Sequence, residues 1–249
     1  NVMGTLNLLN CAKDYINKQK VKKFKFIHIS TDEVFGSLKQ REKSFTETSN
    51  YDPQNPYSAT KAASDHLIRS FINTYKFPAI ITNCSNNFGE FQMPEKLIPL
   101  VIYRAFLKQK IPIYGNGKQI RDWIYVKDHC SGILKVLNKG QLGESYNIGG
   151  GNEISNIDLV KKILKIINLK VKGNFNYLKL ISYVKDRPGH DKRYSINSNK
   201  IKVKLKWKPK YKFETALENT IKWYLKSNLL QKEKKFNKDF SNWLDKKYS

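Results

Sequence analysis

Asp32 and Glu33 stand side by side after an apolar stretch, within Ser30-Thr31-Asp32-Glu33-Val34-Phe35-Gly36. Neighbouring carboxyls raise each other's pKa, so one can hold a proton while the other is ionised. Such a pair suits elimination of water: one group removes a carbon-bound proton and the other donates to the leaving hydroxyl. Thr31 is placed to hydrogen-bond a substrate hydroxyl, although two adjacent acids are also the ordinary make-up of a solvated turn. Tyr57 and Lys61 follow in Pro56-Tyr57-Ser58-Ala59-Thr60-Lys61. On a helix that spacing puts both on one face, and the ammonium is expected to lower the phenol's pKa until tyrosine can act as a base. A surface pair of no consequence would share the spacing.

Further polar sets suggest a phosphate-bearing ligand. Asn83-Cys84-Ser85-Asn86-Asn87 and Pro94-Glu95-Lys96-Leu97-Ile98-Pro99 offer amides and a lysine that can hold a diphosphate and a nicotinamide edge. Pro112-Ile113-Tyr114-Gly115-Asn116-Gly117 is a tight turn whose Tyr114 could cover a base, and Arg121 beyond it could bind phosphate. Asp186-Arg187-Pro188-Gly189-His190 supplies a second arginine on a proline-glycine turn. The four histidines are too scattered for a metal site, and His129 is expected to face a helix start without doing chemistry.

The elements that must carry these residues alternate. Residues 1–15 have helical apolar spacing, residues 24–30 read as a buried strand, 37–56 as a loop, 58–75 as a helix and 78–83 as the next strand. Helix between strands predicts an α/β fold with a parallel sheet, with ligands at the strands' carboxyl ends. Beyond residue 88 the pattern predicts a helix over 96–108, one capped by Asp128, a strand over 144–148, a helix capped by Asn156, a strand over 179–184 and a helix over 214–225. The lysine-rich stretch after Ser227 is expected to be partly helical at the surface.

Apolar residues make up 40% of the 249, which excludes a disordered chain, and no apolar run is long enough to span a membrane. Cys11, Cys84 and Cys130 have no paired or metal spacing, which points to a reducing cytoplasm. The net charge of +25 raises the alternative of a nucleic-acid binder. Yet 40 of the 46 basic residues are lysine, spread from Lys13 to Lys247, and arginine is the better bidentate phosphate ligand. A solvated lysine surface is the favoured reading, with no nucleic-acid or membrane partner expected.

From Asn1 to about Tyr224 the chain resembles the nucleoside-diphosphate-glucose 4,6-dehydratases, closest to the dTDP-glucose branch, of the extended short-chain dehydrogenase/reductase superfamily. The resemblance rests on residues 30–36, 56–66, 83–99, 112–128 and 186–194, and Asp32-Glu33 separates dehydratases from related epimerases and decarboxylases. It implies a Rossmann-type doubly wound parallel sheet with its N-terminal half missing, and a smaller mixed α/β C-terminal substrate domain. Residues 1–87 would be the remainder of the NAD-binding domain. Residues 88–249 would mainly bind sugar nucleotide, with part of 120–150 returning to the sheet.

It further implies that Tyr57 takes the proton of the sugar 4-hydroxyl as hydride passes to NAD⁺, Glu33 removes the C5 proton and Asp32 protonates the departing 6-hydroxyl. The product is a 4-keto-6-deoxy sugar nucleotide for rhamnose-type deoxysugar synthesis. Lys61 and Asn87, with Tyr57, would contact the cofactor. Thr31, Asn86, Lys96, Leu97, Pro112, Ile113, Tyr114, Arg121, Asn156, Asp186, Arg187, Pro188, Gly189 and His190 would hold the substrate. A homodimer through a helix pair is implied as well. A UDP-sugar 4-epimerase, a UDP-glucuronate decarboxylase and an inactive paralogue are the alternatives on this scaffold. None of the 13 glycines forms the family's Gly-x-x-Gly-x-x-Gly pyrophosphate turn. The natural start is therefore expected upstream, and these 249 residues alone are expected neither to bind NAD⁺ tightly nor to dehydrate. Phe26, Ile27 and Ile29 are expected to lie on an open apolar sheet edge.

Overall fold

The computed structural model of the chain describes residues 1–227; the lysine-rich stretch expected to be partly helical lies outside them. In chain order the elements are α1 (Val2–Lys18), β1 (Phe26–Thr31), a 3-10 turn (Asp32–Phe35), α2 (Pro56–Tyr75), β2 (Ala79–Cys84), β3 (Asn86–Phe88), α3 (Leu97–Phe106), β4 (Ile111–Tyr114) and β5 (Ile120–Tyr125). There follow α4 (Val126–Lys139), β6 (Ser145–Ile148), β7 (Glu153–Ser155), α5 (Asn156–Lys170), a second 3-10 turn (Tyr177–Leu180), β8 (Ile181–Val184), α6 (Asn199–Leu205) and α7 (Phe213–Lys226). The chain divides into two compact units. Of the described residues, the first gathers 1–87, 121–153 and 191–210; the second gathers 88–120, 154–190 and 211–227.

The first unit is built on a parallel sheet of order β1-β2-β6. Its register sets Thr31 opposite Cys84 and Cys84 opposite Ile148, so three carboxyl ends finish level. Both faces are covered, as the alternation along β2 requires. Ala79 and Ile81 pack with Leu9, Ile68 and Phe71 of α1 and α2, while Ile80 packs with Val136, Ile201 and Leu205 of α4 and α6. As expected, β1 is the edge of this sheet, paired among the described residues with β2 on one side, although two of its three apolar side chains are partly covered. Phe26 lies 5.7 Å from the Phe77 ring and Ile27 packs on the Ile80 cluster. Of the three, Ile29 alone is exposed.

α2 begins where Asn55 and Ser58 form a reciprocal capping box with Pro56 at the first helical position. Two expected caps are displaced. α4 starts at Val126, and the Asp128 carboxylate instead accepts the Lys210 backbone N–H at 2.8 Å. α5 is capped by the Ser155 hydroxyl, which accepts from Asp158 N, and Asn156 is its first helical residue. The expected loop over 37–56 is pinned rather than loose. Phe45 N donates to Ser195 O, Asn197 N donates to Phe45 O, and Arg193 holds Glu153 bidentately at 2.6 and 2.9 Å while donating to the carbonyls of Lys39 and Glu42.

The second unit pairs β4 with β8 in parallel. Its helices α3, α5 and α7 pack on one another. Eight of the ten residues of α3 are buried, which suits its nearly continuous apolar sequence.

Gly36 closes the Asp32–Phe35 turn at φ +91°, and a Cβ there would lie 2.5 Å from Asp52 O. Gly151 has a similar φ of +70° with nothing within 4 Å of a Cβ. Gly151→Ala is expected to cost only its backbone strain, about 1–2 kcal/mol. Gly36→Ala should cost clearly more, because the Asp52 backbone must also move. Thermal unfolding of the two variants compares them directly, and equal losses would mean that the 36–52 contact is soft.

Candidate active site

β1 delivers Thr31 to the end of the sheet, and the chain then turns tightly so that Asp32 and Glu33 leave together. Thr31 Oγ1 accepts from Glu33 N at 3.4 Å and lies 3.3 Å from Asp32 Oδ1. Asp32 is buried and Glu33 half-buried. Burial, then the charges of Glu33 and Asp122, push the Asp32 carboxyl well above the usual range, against a smaller opposing pull from Arg121. The fold thus favours the protonated form of Asp32.

Tyr57 is 52% exposed at the start of α2. Its phenol is not lowered, as its spacing from Lys61 suggested. Burial raises it, and Glu33, Cys84 and Asp32 add to the shift. The Lys61 ammonium instead donates to Ile29 O at 2.6 Å. Burial also pushes the Cys84 thiol, near Asp32 and Lys61, up to about 12. Below Tyr57 the β2 end is fixed by Asn83, whose Nδ2 donates to Thr31 O at 3.1 Å, and Asn87 Nδ2 donates to Ser85 O at 3.0 Å.

Arg121, expected as a phosphate clamp, is buried over the Tyr194 ring at 4.3 Å, and its charge is felt by Asp32, Asp191 and Glu33. Tyr194 donates to Asp191, and burial followed by that bond drives its phenol far above the ordinary range. Cys84, Asp191 and Tyr194 were not singled out from the sequence as site residues. Asp122, next to Arg121, is held by Gly150 N at 3.1 Å and Asn152 N at 2.7 Å.

Among the buried side-chain oxygens of this unit, Asp32 Oδ2, Asn83 Oδ1 and Asn86 Oδ1 have no hydrogen-bond partner among the described residues. Buried acceptors of that kind call for donors. A nicotinamide carboxamide and sugar hydroxyls bring N–H and O–H groups, so the residues present fit that end of a dinucleotide and its substrate.

The second unit assembles other expected residues on its own. His190 Nδ1 lies 2.6 Å from Asp186 Oδ1, Gln119 Nε2 donates to Asp186 Oδ2 at 3.0 Å, and the Arg187 guanidinium sits 5.0 Å over the Tyr114 ring. The His190 bond is the main cause that lowers the Asp186 carboxyl. Pro112 and Ile113 lie on the same strand as Tyr114, and Pro188 and Gly189 form the turn between Arg187 and His190. Lys96 stands 3.5 Å from Glu95 and, with Leu97, opens α3; Asn156 opens α5. His129 is buried in the first turn of α4, where burial lowers it to about 4. Among the described residues no group of three or more His, Cys, Asp or Glu is placed to hold a metal ion, and no helix is long and apolar enough to cross a membrane.

A family profile described as GDP-mannose 4,6 dehydratase matches residues 1–220. The chain belongs to this family of NAD-dependent nucleotide-sugar dehydratases. A dTDP-glucose 4,6-dehydratase of Shigella flexneri is 46% identical over 259 residues, covering 100% of this chain and 72% of the relative. One of Xanthomonas campestris pv. campestris is 49% identical over 231 residues, covering 90% and 65%. The crystal structure of dTDP-glucose 4,6-dehydratase from Bacillus anthracis in complex with NAD superposes with a TM-score of 0.82 at 44% identity, covering 92% of this chain and 68% of that one. The chain therefore spans about two thirds of the length of these dehydratases, which are hydro-lyases.

The raised Asp32 carboxyl has a consequence for stability. A carboxyl whose neutral form the fold favours supports the fold at low pH, and that support is lost as pH rises from the ordinary value through the raised one. Asp32→Asn, neutral throughout, is therefore expected to melt close to wild type at pH 5 and several degrees above it at pH 8. About 1 kcal/mol corresponds to about 2–4 °C at this size. A gap that stays constant or narrows would mean that Asp32 is ionised in the fold.

Proposed function

We propose that the complete enzyme dehydrates a nucleoside-diphosphate-glucose, dTDP-glucose in first place and UDP-glucose as the alternative, to the 4-keto-6-deoxy sugar nucleotide. The observation that carries the reading is buried Asp32, whose burial favours its protonated form, beside half-buried Glu33 at the end of β1, with Tyr57 in their field. An epimerase or decarboxylase has no hydroxyl to expel and so no use for a buried carboxyl that favours its proton. NAD⁺, when bound, supplies the acceptor for the C4 hydride and its return to C6.

The chain's own residues do the rest. Thr31 binds a sugar hydroxyl. Tyr57 exchanges the proton of the 4-hydroxyl, and Glu33 takes the C5 proton, which the adjacent ketone makes acidic. Asp32 already holds the proton that the departing 6-hydroxyl needs. Tyr57 rests as the phenol in this structure, so its turn as base requires positive charge brought against the ring, from Lys61 moving off Ile29 O or from the ligand. Lys61 and Asn87 hold the cofactor.

Asn86 and Arg121 of the first unit hold substrate. In the second, Lys96, Leu97, Pro112, Ile113, Tyr114, Asn156 and the Asp186–His190 turn do the same, and the Arg187–Tyr114 stack suits a base beside a diphosphate. A homodimer through α1 and α2 is supported by Met3 and Leu8, which α1 leaves exposed. A cytoplasmic setting is supported by the three unpaired cysteines.

Incubated with dTDP-glucose and NAD⁺, the enzyme is expected to yield a product lighter by one water, whereas an epimerase would leave the mass unchanged. Tyr57→Phe should lower turnover by about 10²–10⁴-fold and leave substrate binding intact, because only the hydroxyl is lost. Wild-type turnover in that variant would remove Tyr57 from the chemistry.

A further inference from the structure

Asp65 lies one helical turn beyond Lys61, so Tyr57, Lys61 and Asp65 recur every four residues along α2. Its side chain is entirely buried. Oδ2 accepts from Ser30 Oγ and from Tyr51 OH, each at 2.8 Å, and Oδ1 lies 2.9 Å from His28 Nε2. His28 and Ser30 flank Ile29, whose carbonyl holds Lys61. Three consecutive residues of β1 are thus tied to one stripe of α2, and the next residues of the chain are Thr31, Asp32 and Glu33. Tyr51 widens the tie. Its ring meets Phe35 of the Asp32–Phe35 turn edge-on at 5.2 Å and lies 5.9 Å from the Arg69 guanidinium. Burial, then Asp65, pushes the Tyr51 phenol up to about 12, so it stays a donor.

A carboxylate cut off from water needs several donors, and a buried polar cluster of this kind commonly contributes little net stability against an apolar replacement. What directional bonds do supply is position. The neighbouring apolar contacts of α2, made by Ala62 and Ile68, tolerate small slides of the helix, whereas two hydrogen bonds converging on one carboxylate oxygen, with the His28 ring against the other, do not. Catalytic groups displaced by about 1 Å can lose about 10²-fold in rate.

We propose that Asp65 is a positioning residue. By gripping Ser30, Tyr51 and His28, it sets the Tyr57–Lys61 helix against the Asp32–Glu33 turn. The inference rests on the dehydratase reading for its effect on rate, and on geometry alone for its effect on α2.

The test uses the complete enzyme and the variants Asp65→Asn, Ser30→Ala and Tyr51→Phe. Asp65→Asn is expected to lower kcat by about 10²-fold per folded molecule, with KM for dTDP-glucose within about twofold of wild type because the substrate is not touched. Ser30→Ala and Tyr51→Phe should each lower kcat several-fold alone and add nothing in the Asp65→Asn background, the pattern of residues acting through one group. Amide exchange along α2, read without turnover, should rise about tenfold in Asp65→Asn. Unchanged exchange overturns the proposal. So does a variant that melts earlier yet keeps wild-type kcat per folded molecule, which is what a merely structural residue would show. If Asp65→Asn does not fold, the Tyr51→Phe and Ser30→Ala variants decide by the same two readouts. A wild-type enzyme that releases no water from dTDP-glucose sinks the dehydratase reading instead, and exchange then judges the positioning role by itself.

Discussion

A carboxyl group buried away from water must either be met by donors or keep its proton. Three of the first unit's buried carboxyls, Asp65, Asp122 and Asp32, set the site's layout by how each is met. Asp65 is met by the Ser30 and Tyr51 hydroxyls, with His28 Nε2 2.9 Å from its other oxygen, and that tie joins α2 to β1. Asp122 is met by the backbone N–H groups of Gly150 and Asn152, which moors the turn after β6 beside the end of β5. Among the described residues Asp32 lacks comparable donors: its side chain meets the Thr31 hydroxyl at 3.3 Å, and Oδ2 has no hydrogen-bond partner. Burial, with Glu33 and Asp122 nearby, favours its protonated form. Two buried acids build the frame, and the third is left for chemistry.

The frame also explains the asymmetry between Asp32 and Glu33. Adjacent in sequence, they diverge because the turn buries one fully and the other by half. Arg121, anchored over Tyr194, offsets part of the negative field without neutralising Asp32, because it is itself buried and shared with Asp191 and Glu33. In the second unit a separate polar group forms around Asp186, which fixes His190 and Gln119 while Arg187 lies over Tyr114. Acids again do the fixing and leave the arginine and the aromatic ring for a ligand.

Much of this was legible in the sequence. The apolar periods gave α2 and the strands β1 and β2 to within two residues, because those elements bury one stripe or run wholly inside the sheet. The short-range chemistry of Asp32, Glu33 and Tyr57 was legible too, since the residues are neighbours in sequence or on one helix. What was not legible depends on partners far along the chain. Asp128 reads as a helix cap but is taken by Lys210, 82 residues later. Asn156 reads as a cap, yet Ser155 before it supplies the oxygen. The phenol of Tyr57 was expected to be lowered by Lys61, but Lys61 is held by Ile29 O, and burial, with two acids and a thiol, raises the phenol instead. Asp65 continues the Tyr57–Lys61 stripe and so had a signal in its spacing, but nothing local shows that His28, Ser30 and Tyr51 converge on it. The return of residues 191–210 to the first unit, which brings Asp191 and Tyr194 beside Arg121, left no mark in composition or periodicity.

The account turns on Asp32 holding a proton to give and Glu33 having a place for one. The direct measurement is deuterium incorporation at C5 of the sugar in heavy water, with NADH absorbance followed on the same samples of the complete enzyme. Asp32→Asn is expected to accumulate NADH and exchange C5 while releasing water slowly. Glu33→Gln is expected to accumulate NADH without exchange. Identical exchange and identical NADH traces in the two variants would contradict the division of labour between the two carboxyls.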